Sequence, residues 1–94
     1  MQGPQTALVT GAAGFIGAAV TRRLIAAGVR VIALDDLSAG DLARLECARG
    51  ELLEIVEGDA SDRALLAGLL DAEPEVVIHL AGRVGVRTVL SDPE

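Results

Sequence analysis

Ninety-four residues leave room for one small domain, and a composition of 51% hydrophobic and 23% charged residues describes a chain that packs a modest core. Acidic side chains outnumber basic ones 14 to 8, and the net charge of -6 has the wrong sign for a phosphate-backbone binder, so no nucleic-acid partner is expected. No apolar run approaches the roughly 18 residues of a membrane span and no leader pattern opens the chain, so the expectation is a cytoplasmic protein with no membrane partner.

In chain order, Thr6–Thr10 is a short β-branched and apolar run closing on Gly11, the pattern of a buried strand. From Phe15 to Ala27 the pattern changes to a helix, with Ile16, Val20 and Leu24 at helical spacing beside Ala19 and Ala27 as its expected apolar stripe, and Gly28 as its stop. Val31–Leu34 is a second strand that ends in Asp35 and Asp36. The stretch from Leu37 to Gly50 mixes loop signals at Ser38, Gly40 and Gly50 with one or two helical turns over Asp41–Leu45. Leu52–Glu57 reads as a third strand. Ser61 or Asp62 then caps a helix bearing Leu65, Leu66, Leu69 and Leu70. Glu75–Leu80 makes a fourth strand, with His79 expected to be a packed strand residue. The closing Asp92-Pro93-Glu94 carries the signature of a helix start.

Strands alternating with helices predict an α/β fold with a parallel sheet. Some chemistry is excluded outright. All eight basic residues are arginines, and Lys, Tyr and Trp are absent, so a lysine-ended phosphate loop, a Schiff base and a Tyr/Lys acid-base pair have no residues here. Cys47 stands alone, so an internal disulfide and a cysteine-rich metal centre are ruled out, and no metal is expected.

The informative segment is Thr10-Gly11-Ala12-Ala13-Gly14-Phe15-Ile16-Gly17, three glycines at three-residue spacing between a strand and a helix. Gly11 permits the sharp turn, Gly14 allows a pyrophosphate to approach the backbone, and Gly17 allows close packing of the helix. The amides at the helix N-terminus are suited to an anion. Asp35, 18 residues beyond Gly17 at the tip of the second strand, is placed to accept hydrogen bonds from both ribose hydroxyls of an adenosine. A 2′-phosphate there would face Asp35 and Asp36, which favours NAD over NADP. The plainer alternatives are a solvated turn residue or cap at Asp35, and a turn and cap at Asp59.

These features resemble the N-terminal part of the extended short-chain dehydrogenase/reductase family, specifically its NAD-dependent sugar-nucleotide epimerases and dehydratases of the UDP-glucose and UDP-glucuronate 4-epimerase kind. The matching segments are Thr10 to Gly17, Asp35 to Gly40, Gly58 to Asp62 and His79 to Gly82. The resemblance implies the N-terminal half of a Rossmann doubly wound sheet in strand order 3-2-1-4, spanning residues 1–94 as a partial NAD-binding domain. It implies that Phe15 and Ile16 approach the pyrophosphate, Ser38 and Gly40 the adenosine side, Asp59 and Ala60 the adenine, and Leu80, Ala81 and Gly82 the middle of the dinucleotide. Arg87, in a segment similar to one near the sugar-nucleotide site, becomes a candidate substrate contact.

The family's serine or threonine and its Tyr-x-x-x-Lys pair have no counterpart in these residues, so no catalytic residue is assigned. The expectation is therefore the NAD-binding portion of a longer enzyme, an isomerase or oxidoreductase acting on a nucleotide sugar as a homodimer. The alternatives are a free-standing module or one subunit of a split enzyme, and a site for another nucleotide such as an S-adenosyl cofactor. In strand order 3-2-1-4 the fourth strand is expected to be an open edge, and the chain alone is expected to associate.

Overall fold

The computed structural model describes residues 5–38, 40–81 and 87–90, the last through their backbone. β1 (Thr6–Thr10), β2 (Arg30–Asp35), β3 (Leu53–Glu57) and β4 (Val76–His79) alternate with α1 (Phe15–Ala26), a 3₁₀ helix over Leu42–Ala48, and α2 (Arg63–Leu70), and β5 (Arg87–Leu90) follows. The sheet order is β3-β2-β1-β4-β5. The first four strands are parallel, in the predicted order 3-2-1-4 of a Rossmann sheet, with Thr10 in register with Leu34 on one side and His79 on the other.

Alternating residues of the central strands face two apolar layers, which is why β1 and β2 read as unbroken apolar runs. Val9, Val31 and Ala33 pack with Ala12, Ala13, Ala18 and Leu45 on the side of α1 and the 3₁₀ helix. Leu8, Ile32 and Leu34 pack on the other side with Val56, Val77 and the α2 leucines Leu65, Leu66 and Leu69. Leu8 and Leu34 are fully buried, and each such burial is worth about 1.5–3 kcal/mol.

Two expectations are corrected. The buried face of α1 is Gly17, Ala18 and Thr21, with Leu24 and Ile25 half-buried behind them, whereas Ile16 and Ala19 are exposed. The helix sits so close to the turn that precedes it that small side chains, not large ones, mark its contact line. Apolar periodicity records side-chain character and is blind to that distance. The second correction concerns β4. Its outer edge is covered by β5, which pairs antiparallel with Val76↔Leu90 and His79↔Arg87 in register. An open strand edge carries a row of unpaired N–H and C=O groups, and the extended Thr88-Val89-Leu90 run supplies partners for them.

Local chemistry explains the element ends. Gly28 adopts φ 87 after α1, the left-handed conformation that ends a helix and that glycine accepts without strain. Of the two caps predicted for α2, Asp62 is the one used, accepting the Leu65 N–H at 3.1 Å. Asp41 caps the 3₁₀ helix by accepting the Ala43 N–H at 3.0 Å. The helix start predicted at Asp92 and Pro93 lies outside the described residues.

Candidate functional site

Parallel strands deliver the turns that follow them to one edge of the sheet. Here the turns after β1, β2, β3 and β4 enclose a cavity of about 460 Å³ lined by Gly11, Gly14, Leu34, Asp35, Asp36, Ser38, Gly40, Gly58, Asp59, Ala60, Leu80 and Ala81. Among the described residues, every charged side chain on that wall is acidic. Ten of the fifteen residues singled out from the sequence therefore share one cavity, although they come from four separate turns.

The glycine turn is held from below and behind. The N–H groups of Gly11 and Ala12 both donate to the Leu34 carbonyl, at 2.8 and 3.2 Å. Gly11 has φ 70, and a Cβ there would stand 2.8 Å from the Ala81 nitrogen. A Cβ on Gly17 would lie 2.0 Å from the Gly11 carbonyl oxygen, which fixes glycine at the first turn of α1. At Gly14, by contrast, the nearest atom to a built Cβ is that same oxygen at 3.5 Å, an ordinary contact. The chain itself does not demand glycine at 14; the space beside it belongs to the cavity. Gly14 is also the N-cap of α1, with no side-chain cap and no acid in the first turn, so the leading amides of the helix are left for an anion.

Asp35, half-buried at the end of β2, accepts the Ala13 N–H on Oδ2 at 2.9 Å and the Leu37 N–H on Oδ1 at 2.7 Å. Each oxygen keeps a second lone-pair direction. Leu37 is held at φ 65 by that contact, an uncommon conformation for a leucine. A Cβ on Gly40 would meet both Asp35 oxygens at 2.9 Å, so the chain after β2 folds back directly over the carboxylate.

The two exposed acids at the rim are built alike. Asp36 Oδ1 accepts the Ser38 N–H at 2.9 Å and the Ser38 hydroxyl at 2.8 Å, and Asp59 Oδ1 accepts the Ser61 N–H and hydroxyl, both at 2.8 Å. The Ser38 amide and then its hydroxyl hold the Asp36 carboxyl below its ordinary value. The Ser61 amide and hydroxyl do the same for Asp59, while the negative charge of Asp36 pushes Asp59 weakly upward.

At the β4 end, Thr10 Oγ1 accepts the N–H groups of Leu80 and Ala81 at 3.1 and 3.2 Å and lies 2.7 Å from His79 Nδ1. His79 is thus half-buried, as a packed strand residue should be, and also hydrogen-bonded.

Phe15 and Ile16 are off the cavity wall, 79% and 63% exposed at the start of α1, and Gly17 is buried behind the turn. Gly82 lies outside the described residues. Arg87 enters β5 through its backbone, and the contact expected of its side chain lies outside what is described. Sequence reasoning did not single out Leu34, Gly58, Thr10 or Arg44 as site residues. Gly58 was legible as part of a turn-and-cap segment; the other three act through contacts 22 to 71 residues away along the chain, which leave no local signal. Among the described residues, no group of three or more His, Cys, Asp or Glu side chains is arranged to hold a metal ion, and no helix is long and apolar enough to cross a membrane.

Comparison with known proteins bears on this geometry. The sequence model of the NAD dependent epimerase/dehydratase family matches residues 7–94. The chain is 44% identical over 87 residues to UDP-glucose 4-epimerase of Mycolicibacterium smegmatis, covering 92% of the chain and 28% of that protein. It is 42% identical over 92 residues to UDP-glucuronate 4-epimerase 3 of Arabidopsis thaliana, covering 92% of the chain and 21% of the relative. The crystal structure of UDP-glucose 4-epimerase from Brucella ovis in complex with NAD superposes with a TM-score of 0.74 at 32% identity, over 86% of this chain and 24% of that one. The chain thus spans about a quarter of the length of these relatives.

Proposed function

The chain belongs to the NAD-dependent epimerase/dehydratase family, and on that premise we propose that it binds NAD, in preference to NADP, as the cofactor-holding part of an enzyme that acts on a nucleotide sugar. The observation that carries this reading is the meeting of the glycine turn and Asp35 on one cavity at the carboxyl edge of the parallel sheet. The donor set suits a dinucleotide. Uncapped amides at the start of α1 suit a pyrophosphate, and a carboxylate with free lone pairs suits a ribose diol.

In this reading the Phe15 and Ile16 amides hold the phosphates, Gly11 makes the turn and Gly14 leaves room for their approach, and Asp35 accepts the ribose hydroxyls. Asp36, Ser38 and Gly40 border the adenosine, Asp59 and Ala60 the adenine, and Leu80, Ala81 and Gly82 the middle of the dinucleotide. Three acids and no base among the described residues of the cavity wall make a 2′-phosphate the poorer ligand by like-charge repulsion. When bound, NAD supplies a hydride acceptor and donor for the sugar carbon. The chain's own residues bind and orient it, and proton transfer falls to residues other than these 94, which include neither Tyr nor Lys. For the whole protein we propose a nucleotide-sugar substrate, with Arg87 as a candidate contact, and a homodimer. The net charge of -6 argues against nucleic acid as a partner.

Fluorescence titration with NADH tests the proposal over little protein background, because the chain has no Trp or Tyr. Saturable NADH binding with weaker NADPH binding is expected. No binding of either overturns the site, and equal binding of both overturns the ribose assignment.

A further inference from the structure

Both backbone groups of Ala13, in the middle of the glycine turn, are committed to Asp35 at the end of β2 and to residues that follow it. Its N–H donates to Asp35 Oδ2, and its carbonyl accepts the Asp41 N–H at 3.0 Å and Nη1 of Arg44 at 2.8 Å. The Arg44 guanidinium also lies over the Phe15 ring, 4.1 Å from its centroid. From the other side, Arg22 Nη1 of α1 donates to the Arg44 carbonyl at 2.9 Å. Arg44 is therefore fixed through its backbone to α1 and through its side chain to the turn before α1.

We propose that Arg44 is a positioning residue of the cavity: it latches the wall that runs from Asp35 to the 3₁₀ helix onto the glycine turn, so that the turn and the wall present one preformed site. Arg44 is absent from the cavity lining, so its effect passes through Ala13 and Phe15. The arrangement also explains why Phe15 is left out of the core at 79% exposure: its ring is the platform for the guanidinium. Arginine suits this place better than lysine because its planar head stacks on the ring while one N–H points at the carbonyl. Without the latch, the wall keeps the Asp41 amide and the packing of Leu42 and Leu45, and the turn has to be ordered when a ligand arrives.

The binding arm of this inference rests on the dinucleotide reading; the latch rests on the contacts alone, and the two are tested separately. Hydrogen exchange of the unliganded chain over residues 11–17 and NADH titration are compared for Arg44→Met, Arg44→Lys and Leu45→Ala, at a temperature where circular dichroism shows each to be folded. Arg44→Met is expected to speed exchange over 11–17 and to weaken NADH by about tenfold, the equivalent of one hydrogen bond to a charged donor. Arg44→Lys should recover part of both, reaching the carbonyl without stacking. Leu45→Ala cuts a buried side chain that packs with Ala12 and Ala13 while leaving the latch atoms in place, and should lower the melting temperature while speeding exchange over 11–17 less than Arg44→Met does.

Unaltered exchange in Arg44→Met overturns the latch, as does Leu45→Ala reproducing its effects. If Arg44→Met fails to fold, exchange in Arg44→Lys decides, and exchange equal to the unsubstituted chain overturns the proposal. If the unsubstituted chain binds no NADH while Arg44→Met still speeds exchange, the dinucleotide reading falls and the latch stands.

Discussion

Thr10 and His79 face each other in register across β1 and β4, with Thr10 Oγ1 2.7 Å from His79 Nδ1. That oxygen already accepts the Leu80 and Ala81 amides, so its single proton is the one available to the contact with Nδ1. One buried hydroxyl thus ties the turn after β4 to the strand that leads into the glycine turn.

Thr10→Val keeps the shape and removes all three contacts. It is expected to cost about 1–3 kcal/mol, since the Ala81 amide and the ring nitrogen lose their partner while the Leu80 amide keeps the Thr10 carbonyl at 3.0 Å. Thr10→Ser should retain most of the stability. Urea denaturation of the two variants gives the comparison, and nitrogen chemical shifts of His79 report the tautomer.

Gly14→Ala and Gly17→Ala separate ligand space from chain space. An alanine at 17 drives a Cβ toward backbone that has nowhere to move and should destabilise by about 1–3 kcal/mol or more. An alanine at 14 meets ordinary contact distance and should fold with nearly unchanged stability while losing NADH affinity. Thermal melts paired with NADH titrations check both.

Asp35→Ala removes an acceptor from the proposed ribose contact and should weaken NADH by about 1.5–3 kcal/mol, while narrowing the gap between NADH and NADPH. The same change strips the Ala13 and Leu37 amides of their partner, so a lowered melting temperature should accompany it. Parallel titrations with the two reduced cofactors measure the effect.

The carboxyls of Asp36 and Asp59 are held below their ordinary value in the folded chain, so their contribution to stability is present above the unfolded carboxylate value of about pH 3.9. It is lost as pH falls through the lower folded values. Ser38→Ala should move the Asp36 titration upward, and Asp36→Asn should move Asp59 further down by removing a neighbouring negative charge. Carbon-detected NMR titration of the side-chain carboxyls reads both shifts.

Thr21 is fully buried in α1 with its hydroxyl unpartnered. Thr21→Val keeps the shape and removes an unsatisfied group, and is expected to stabilise the chain by about 1 kcal/mol or more. Chemical denaturation with an unchanged m-value would bear this out.

The order of elements through β4 and the α/β class were legible in the sequence because their causes are local or nearly so, while the strand order 3-2-1-4 came with the family resemblance. Unbroken apolar runs mark strands buried on both faces, glycine spacing marks the turn after β1, and Asp62 caps the helix that begins one residue later. The resemblance carried the four strand-end segments to one site, and the parallel sheet does bring their turns to one edge. Tertiary structure alone decided the rest. The buried face of α1 is set by its distance from Gly11, to which Gly17 and not Ile16 answers. The cover on β4 comes from β5, whose run is too short to declare its partner. Arg44 reaches Ala13 across 31 residues and Thr10 reaches Ala81 across 71. Such hydrogen bonds depend on where two packed elements place a donor and an acceptor to within fractions of an ångström, and neither composition nor periodicity encodes that distance.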